Sequence, residues 1–255
     1  VDRQYHFGFE CLAAGLGIGG SLIYALRPPG DRAAQELYNA QNMQLIGWAI
    51  YGQESLSSSK PIRGFEDLKG WKFRSPPGLE TEIFAELGAS PIVMDFTEVF
   101  TSLETGIIDG ADASSLANNV GLGLYDLVNH ATYPGFHSMP VDHVTFNLDV
   151  WNSFPDDIKA IFEVATQALA LQTAMTIDVA NAEAATKLKQ QGVNLYDWSA
   201  EDRAAFRAGA QRAWDGWADK TPEAKALVEA ADSALYAAKR NGRDRVELYD
   251  PEVEP

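Results

Sequence analysis

The chain of 255 residues has one cysteine, Cys11, so it can build neither an intramolecular disulfide nor a thiolate metal cluster. Glu10-Cys11-Leu12-Ala13-Ala14 also lacks the small residues that precede a lipidated cysteine, and Cys11 reads as a buried apolar position. Positive charge is scarce as well. Twenty Lys and Arg stand against 36 Asp and Glu, a formal net charge of −16. That deficit excludes nucleic acid as a partner, because neutralising phosphates needs clustered basic residues. It also disfavours anionic lipid surfaces. No run reaches about eighteen consecutive apolar residues, the length that would cross a membrane. No basic segment followed by an apolar run opens the chain, so a signal peptide is expected to have been removed already. With 46% hydrophobic and 22% charged residues, the composition leaves a soluble enzyme or a small-ligand binder. An anionic ligand would need a local cation working against the global field.

Short strands alternate with helices stopped by glycine. Residues 1–30 are glycine-rich and apolar and end in Arg27-Pro28-Pro29-Gly30. Residues 31–42 read as a helix capped by Asp31, 43–51 as a buried strand, and 55–61 as a polar loop. Strands follow at 72–75, 91–94, 107–112 and 144–150, with helical segments at 65–70, 79–87 and 97–105 between them. This alternation indicates α/β units around a parallel sheet. Residues 156–191 are helical almost throughout, a strut of roughly 50 Å if unbroken, with a break near Thr173 to Thr176 as the alternative. Ser199 caps a last amphipathic helix through Trp217.

Recognised catalytic motifs are missing. No Gly-x-Ser-x-Gly elbow, P-loop or His-Glu-x-x-His occurs. Gly15-Leu16-Gly17-Ile18-Gly19-Gly20 fits a dinucleotide fingerprint on paper, but Arg27-Pro28-Pro29 cuts the following helix short and Glu36 stands at the wrong distance. A turned loop is the better account. His6, His130, His137 and His143 show no zinc spacing. His137 and His143 flank Asp142, which suits a metal or proton relay but more commonly a strand edge with solvated histidines. Arg74 is the most informative residue. Alternation in Trp71-Lys72-Phe73-Arg74-Ser75 turns it away from Phe73. The stop at Pro76-Pro77-Gly78 places it at the carboxyl edge of a sheet, where ligands of α/β folds bind. Its guanidinium suits a carboxylate, although the local pattern by itself favours a surface arginine. Asp109, Asp112, Ser114 and Ser115 end the next strand in groups suited to polar ligands or a helix cap.

From about Gln44 to Glu229 the segments, taken in order, resemble a TRAP-transporter solute-binding protein of the DctP type. The phrases carrying the resemblance are Phe65-Glu66-Asp67-Leu68-Lys69-Gly70-Trp71-Lys72-Phe73-Arg74, Glu86-Leu87-Gly88-Ala89-Ser90-Pro91, Leu103-Glu104-Thr105-Gly106-Ile107-Ile108-Asp109-Gly110-Ala111 and Trp151-Asn152-Ser153-Phe154-Pro155. The resemblance implies an α/β, two-lobed periplasmic binding protein-like fold with a long helix bracing both lobes. Lobe I would take 1–45 and 144–172, incomplete at its N-terminus. Lobe II and the bracing helices would take 46–143 and 173–230, leaving a tail at 231–255. It further implies a periplasmic location, a small organic anion as ligand, delivery to a membrane permease and no catalysis.

The same resemblance assigns the carboxylate grip to Arg74, with Gln44, Asp112, Ser114, Asn118 and Ser138 as polar contacts and Trp48 and Phe136 as apolar walls. Gln44-Leu45-Ile46-Gly47-Trp48 and Tyr133-Pro134-Gly135-Phe136-His137 resemble the branch that binds 2-oxo and related monocarboxylates. That branch can hold a cation beside the ligand. Gln44, Asp112 and the Ala113 carbonyl are the matching ligands for sodium or calcium, with Ser138 where a second acid is usual. No other cofactor is expected. An alanine where that branch has tryptophan leaves room for a 2-hydroxy or aromatic acid. Residues 231–246 resemble the end of a diguanylate cyclase (GGDEF) domain without its signature loop. The rival expectation is an α/β enzyme acting on a small carboxylic acid, with Asp112 and His137 as acid and base.

Overall fold

A computed structural model describes residues 32–138, 140–222 and 225. Cys11, the glycine run at 15–20 and the cyclase-like tail lie outside the described residues. From α1 (Arg32–Ala40) the chain turns through Asn42, at a left-handed φ of 57°, into β1 (Met43–Ile50). Residues 51–53 cross to β2 (Glu54–Ser58). Then come β3 (Lys72–Ser75), α2 (Leu79–Glu86), β4 (Ser90–Val93), α3 (Val99–Glu104), β5 (Gly110–Ser115), α4 (Leu116–Gly121) and β6 (His130–Thr132). A second crossing follows Ser138 and leads to β7 (Val141–Asn147) and α5 (Leu148–Ser153). The described elements close with α6 (Asp156–Gln190), β8 (Asn194–Tyr196) and α7 (Ala200–Ala218).

Two sheets result. β1 and β7 form an antiparallel pair, and the other strands form a six-stranded sheet ordered β4-β3-β5-β2-β6-β8. β3 runs parallel to β4 and β5, but β2 is antiparallel to both of its neighbours. The expected parallel sheet is therefore mixed, and the cause is the segment expected as a polar loop. β2 is an interior strand whose serines are buried, two of them with internal hydrogen bonds. Ser57 Oγ donates to Tyr125 Oη at 3.0 Å, and Trp71 Nε1 donates to Ser58 Oγ at 3.0 Å. Serine hydroxyls that find partners inside cost little to bury. The strand expected at 144–150 begins and ends three residues earlier, because Asn147 accepts from the Val150 amide and caps α5.

Beneath the large sheet, Phe73 is fully buried and stacks on Trp71 at 4.4 Å. Phe136 stacks on Trp198 at 3.8 Å and meets Phe206 edge-on, tying α7 to the same cluster. Ser199 caps α7 as expected, accepting from the Asp202 amide.

α6 runs 35 residues without interruption, about 52 Å at 1.5 Å per residue. The alternative of a break at Thr173 to Thr176 is corrected here. Both threonine hydroxyls donate to carbonyls four residues back, at Leu169 and Gln172, and leave the backbone helical. The buried positions Thr166, Ala170, Ala174, Ile177, Asn181, Ala184, Ala185 and Leu188 recur every three or four residues and form one stripe. That stripe lies on β1 at one end and on α4 and β8 at the other, so the helix spans both sheets. By length and composition alone α6 could cross a membrane, yet here it packs on both sheets through small and polar residues.

Two glycines set how closely the helix approaches. A Cβ on Gly47 would stand 2.5 Å from Thr166 Cγ2, and one on Gly52 would stand 2.7 Å from Ile177 Cγ1. Gly52, in the first crossing, also has φ +79°. Gly70 shares a left-handed φ of 69° but has nothing within 4 Å of an added Cβ. Gly70→Ala should therefore cost only the backbone penalty of about 1–2 kcal/mol. Gly52→Ala should cost that plus the displacement of Ile177, in total about 3 kcal/mol. Urea unfolding of the two variants measures the difference, and equal losses would refute the close-approach account.

Candidate functional site

Between the sheets lies a cavity of about 370 Å³. Tyr51, Glu54, Pro140 and Asp142 line it from the two crossings and the strands they join. Arg74 and Pro76 come from the end of β3, Glu80 from α2, Phe96 from the turn before α3, and Ala113, Ser114 and Asn118 from β5 and α4. The strand ends of the large sheet and both crossings thus face one space. That is where a ligand of such a fold binds.

Arg74 reaches the cavity because β3 alternates: Phe73 enters the core and Arg74 turns to the other face. Behind it, Ser75 Oγ and Thr81 Oγ1 share a hydrogen bond at 2.9 Å, and Thr81 Oγ1 donates to the Pro76 carbonyl at 2.6 Å. These bonds fix the turn from β3 into α2. The residue is only 8% exposed. Its Nη1 donates to the Asp112 carbonyl at 2.6 Å, and its Cζ stands 5.5 Å from the Phe96 ring centroid. Its Nε has no hydrogen-bond partner among the described residues. A buried guanidinium with an unused donor edge has the chemistry to receive an anion.

Next to it lies a polar cluster of Glu54, Glu80, Asp112 and His137. His137 Nε2 is 3.0 Å from Asp112 Oδ2, 3.6 Å from Glu80 Oε1 and 3.9 Å from Glu54 Oε2. Gly135 brings His137 here, since a Cβ on that residue would stand 2.0 Å from the Glu54 carbonyl oxygen. The loop therefore presses against β2, and the Glu54 amide donates to the Ser138 carbonyl at 3.0 Å. Burial and the Asp112 charge push the Glu54 carboxyl up to about 8, outweighing His137, the Ser138 hydroxyl and Arg74. Burial alone would raise Asp112, but the His137 charge, hydrogen bonds from Glu80 and His137, and Arg74 together hold it below its usual value. Burial likewise lowers His137, but the Asp112 charge and hydrogen bond, helped by Glu54, leave it raised.

The four donor groups lie within 4.8 Å of one another, close enough to surround a small cation. They fit a metal poorly all the same. His137 Nδ1 is buried with no hydrogen-bond partner, so the outer bond that orients a metal-bound imidazole is missing. Beneath Arg74 the cluster is joined by the His137–Asp112 hydrogen bond at 3.0 Å.

Of the expected site residues, Arg74, Ser114, Asn118 and Ala113 line the cavity together. Asn118 Nδ2 donates to Ser114 Oγ at 2.9 Å. Asp112 lies just beneath, 1% exposed, and Ser138 is fully buried, its carbonyl accepting from the Glu54 amide. Gln44 and Trp48 stand on β1 outside the lining: Gln44 Nε2 donates to Gln35 and to the Leu45 carbonyl, and the Trp48 ring meets Tyr38. Gln44 is thus not assembled with Asp112 and Ala113 around the cavity. Phe136 packs into the core against Trp198 instead of facing the cavity. His137, expected as a solvated strand-edge histidine, is 5% exposed. Glu54 and Glu80 escaped the sequence reading, the first because its serine-rich strand resembles a loop. The second sits in the first turn of a helix, where acids are ordinarily solvated.

Among curated proteins, the chain is 29% identical over 191 residues to a solute-binding protein of Roseobacter denitrificans, covering 72% of this chain and 55% of that protein. It is 30% identical over 211 residues to a C4-dicarboxylate-binding periplasmic protein of Rhodobacter capsulatus, covering 79% and 62%. The chain therefore spans about half to three fifths of the length of these relatives. A TRAP periplasmic solute-binding protein from Rhodobacter sphaeroides, solved in an apo open form, matches at 32% identity and TM-score 0.70 over 91% of this chain and 73% of that one. The ectoine-binding protein of the TeaABC TRAP transporter of Halomonas elongata shares the fold at TM-score 0.80 and 21% identity, over 92% and 77%. The family model for bacterial extracellular solute-binding proteins, family 7 (DctP), matches residues 28–221. With about three quarters of its length matched, the chain belongs to this family of solute-binding proteins, not of enzymes.

Proposed function

We propose that the chain is the ligand-binding portion of a periplasmic TRAP solute-binding protein that closes on a small organic carboxylate and hands it to the membrane permease. The observation that carries this reading is the Arg74 guanidinium, buried at the cavity with its Nε edge unused. The relatives point the same way, since solved members hold β-D-galacturonate and L-gulonate. Within the class, a 2-oxo, 2-hydroxy or aromatic monocarboxylate suits a cavity whose described lining offers one cation. Asp112 and His137 do not support an enzyme: both side chains are 1% exposed and neither lines the cavity.

Calorimetric titration with a panel of carboxylates tests the reading. Arg74→Ala should weaken binding by about 30-fold or more, the effect of removing one partner of a buried charge pair. Arg74→Lys should recover part of it, because the charge returns without the fork. Unchanged affinity in a folded Arg74→Ala protein for every carboxylate that binds the parent would end the proposal.

The cluster beneath predicts a pH dependence. Glu54 carries a raised value of about 8 in the fold against an ordinary 4.5, so the folded state holds a proton that the unfolded chain has lost between those limits. Its stabilising contribution is complete below about 4.5 and declines as pH rises to about 8, at most about 1.4 kcal/mol per pH unit. Raised His137 acts in the same direction above its ordinary range. Glu54→Gln should therefore flatten the fall in Tm between pH 5 and pH 8. An identical slope in parent and variant would contradict the assignment.

A further inference from the structure

Phe96 belongs to two cavities. Besides the one that holds Arg74, it lines a second of about 320 Å³ together with Thr97, Val99, Phe100, Leu122 and Leu124. These residues come from the turn before α3, from α3 itself and from the segment after α4. Ala113 makes a further link, since it lines the Arg74 cavity and packs on the apolar cluster that includes Val99 and Leu124. The second cavity is apolar from floor to rim. Val99 and Leu124 are buried, whereas Phe96, Phe100 and Leu122 are 41%, 40% and 39% exposed around them. Thr97 carries the one polar side chain of the lining, and its hydroxyl already donates to Asp95 Oδ1 at 2.7 Å. Between Leu122 and Leu124 the chain passes through Gly123 at φ +74°, where an added Cβ would stand 3.6 Å from Phe100 Cε2. That turn keeps the backbone close against the Phe100 ring.

We infer that the second cavity takes the apolar tail of the acid held by Arg74, so that the ligand is a monocarboxylate with an alkyl or aryl-alkyl chain and no charge at its far end. The inference rests on the reading of Arg74 as the carboxylate anchor and narrows its ligand class. Arg74 Cζ stands 5.5 Å from the Phe96 ring centroid. A carboxylate on the guanidinium therefore sets the rest of its ligand beside the ring that the two cavities share. Large apolar side chains left exposed around a hollow next to a binding site are the kind of surface that an apolar ligand group covers. A hydroxyl or a second carboxylate at the far end would lose its water there and meet neither a free side-chain donor nor an opposite charge in the lining.

The test is a chain-length series read by calorimetry on the purified chain. It comprises butanoate, hexanoate, octanoate and 5-phenylpentanoate, with 8-hydroxyoctanoate and octanedioate as polar-ended counterparts. Octanoate should bind about 30-fold or more tighter than butanoate, because burying each methylene is worth roughly fourfold. The two polar-ended acids should lose most of that gain. Leu122→Asn changes an exposed residue of the rim. It should weaken octanoate and 5-phenylpentanoate about tenfold and leave butanoate unchanged. Ile107→Asn, also exposed but outside the lining, should alter none of them. A series that stays flat or falls with length would overturn the inference while leaving Arg74 as the carboxylate anchor. A gain with length that Leu122→Asn leaves intact would overturn it too. Failure of every acid in the series and in the carboxylate panel to bind would remove the Arg74 reading along with this one.

Discussion

A guanidinium kept out of water has to be compensated, and the site is organised around that requirement. Arg74 loses most of its hydration when β3 turns it inward, and the protein returns only part of it. One carbonyl accepts from Nη1, one aromatic ring lies under Cζ, and the neighbouring acids supply opposite charge. The acids cannot all ionise so close together. Asp112 stays charged and Glu54 keeps a proton. The result is a cation compensated well enough to be buried, yet with one donor edge left for a ligand.

Holding that arrangement depends on backbone contacts that only small residues permit. Gly135 lets its loop lie on the Glu54 carbonyl, and without that approach His137 would not reach Asp112. Gly110 does the same behind the site, where an added Cβ would meet Trp71 at 2.4 Å and the Ser57 carbonyl at 2.5 Å. The polar cluster is thus specified by the closeness of three strands and one loop, and the side chains are the visible part of it.

Local sequence showed some of this and hid the rest, for reasons that differ by residue. For Arg74, strand alternation and the Pro76-Pro77-Gly78 stop are local signals that raise the residue but leave a surface arginine the simpler account, and the family resemblance tips the balance. The length of α6 was legible from its apolar period, and its continuity was less so, because threonine hydroxyls do not announce that they will bond back into the helix. β2 was hidden because its serines look solvated, and only distant partners such as Tyr125 and Trp71 make them suitable for burial. Phe136 looked like a cleft wall, but which side an aromatic packs on is set by Trp198 and Phe206, more than sixty residues away. β8 spans three residues, too short for any period to emerge. Glu54 inherits the obscurity of its strand, and with it went half of the candidate site's chemistry.

The long helix has a mechanical consequence. It touches the first crossing where Ile177 meets Gly52, leaving about 32 Å of helix on the Asp156 side and about 20 Å on the Gln190 side. A stiff rod held off-centre is an unequal lever. Ten degrees of rotation about that contact would carry the Asp156 end roughly 5–6 Å and the Gln190 end roughly 3 Å, whereas side chains beside the pivot would barely move. A rearrangement small enough to keep Arg74 on its ligand would thus be displayed, enlarged, at a surface far from the cavity.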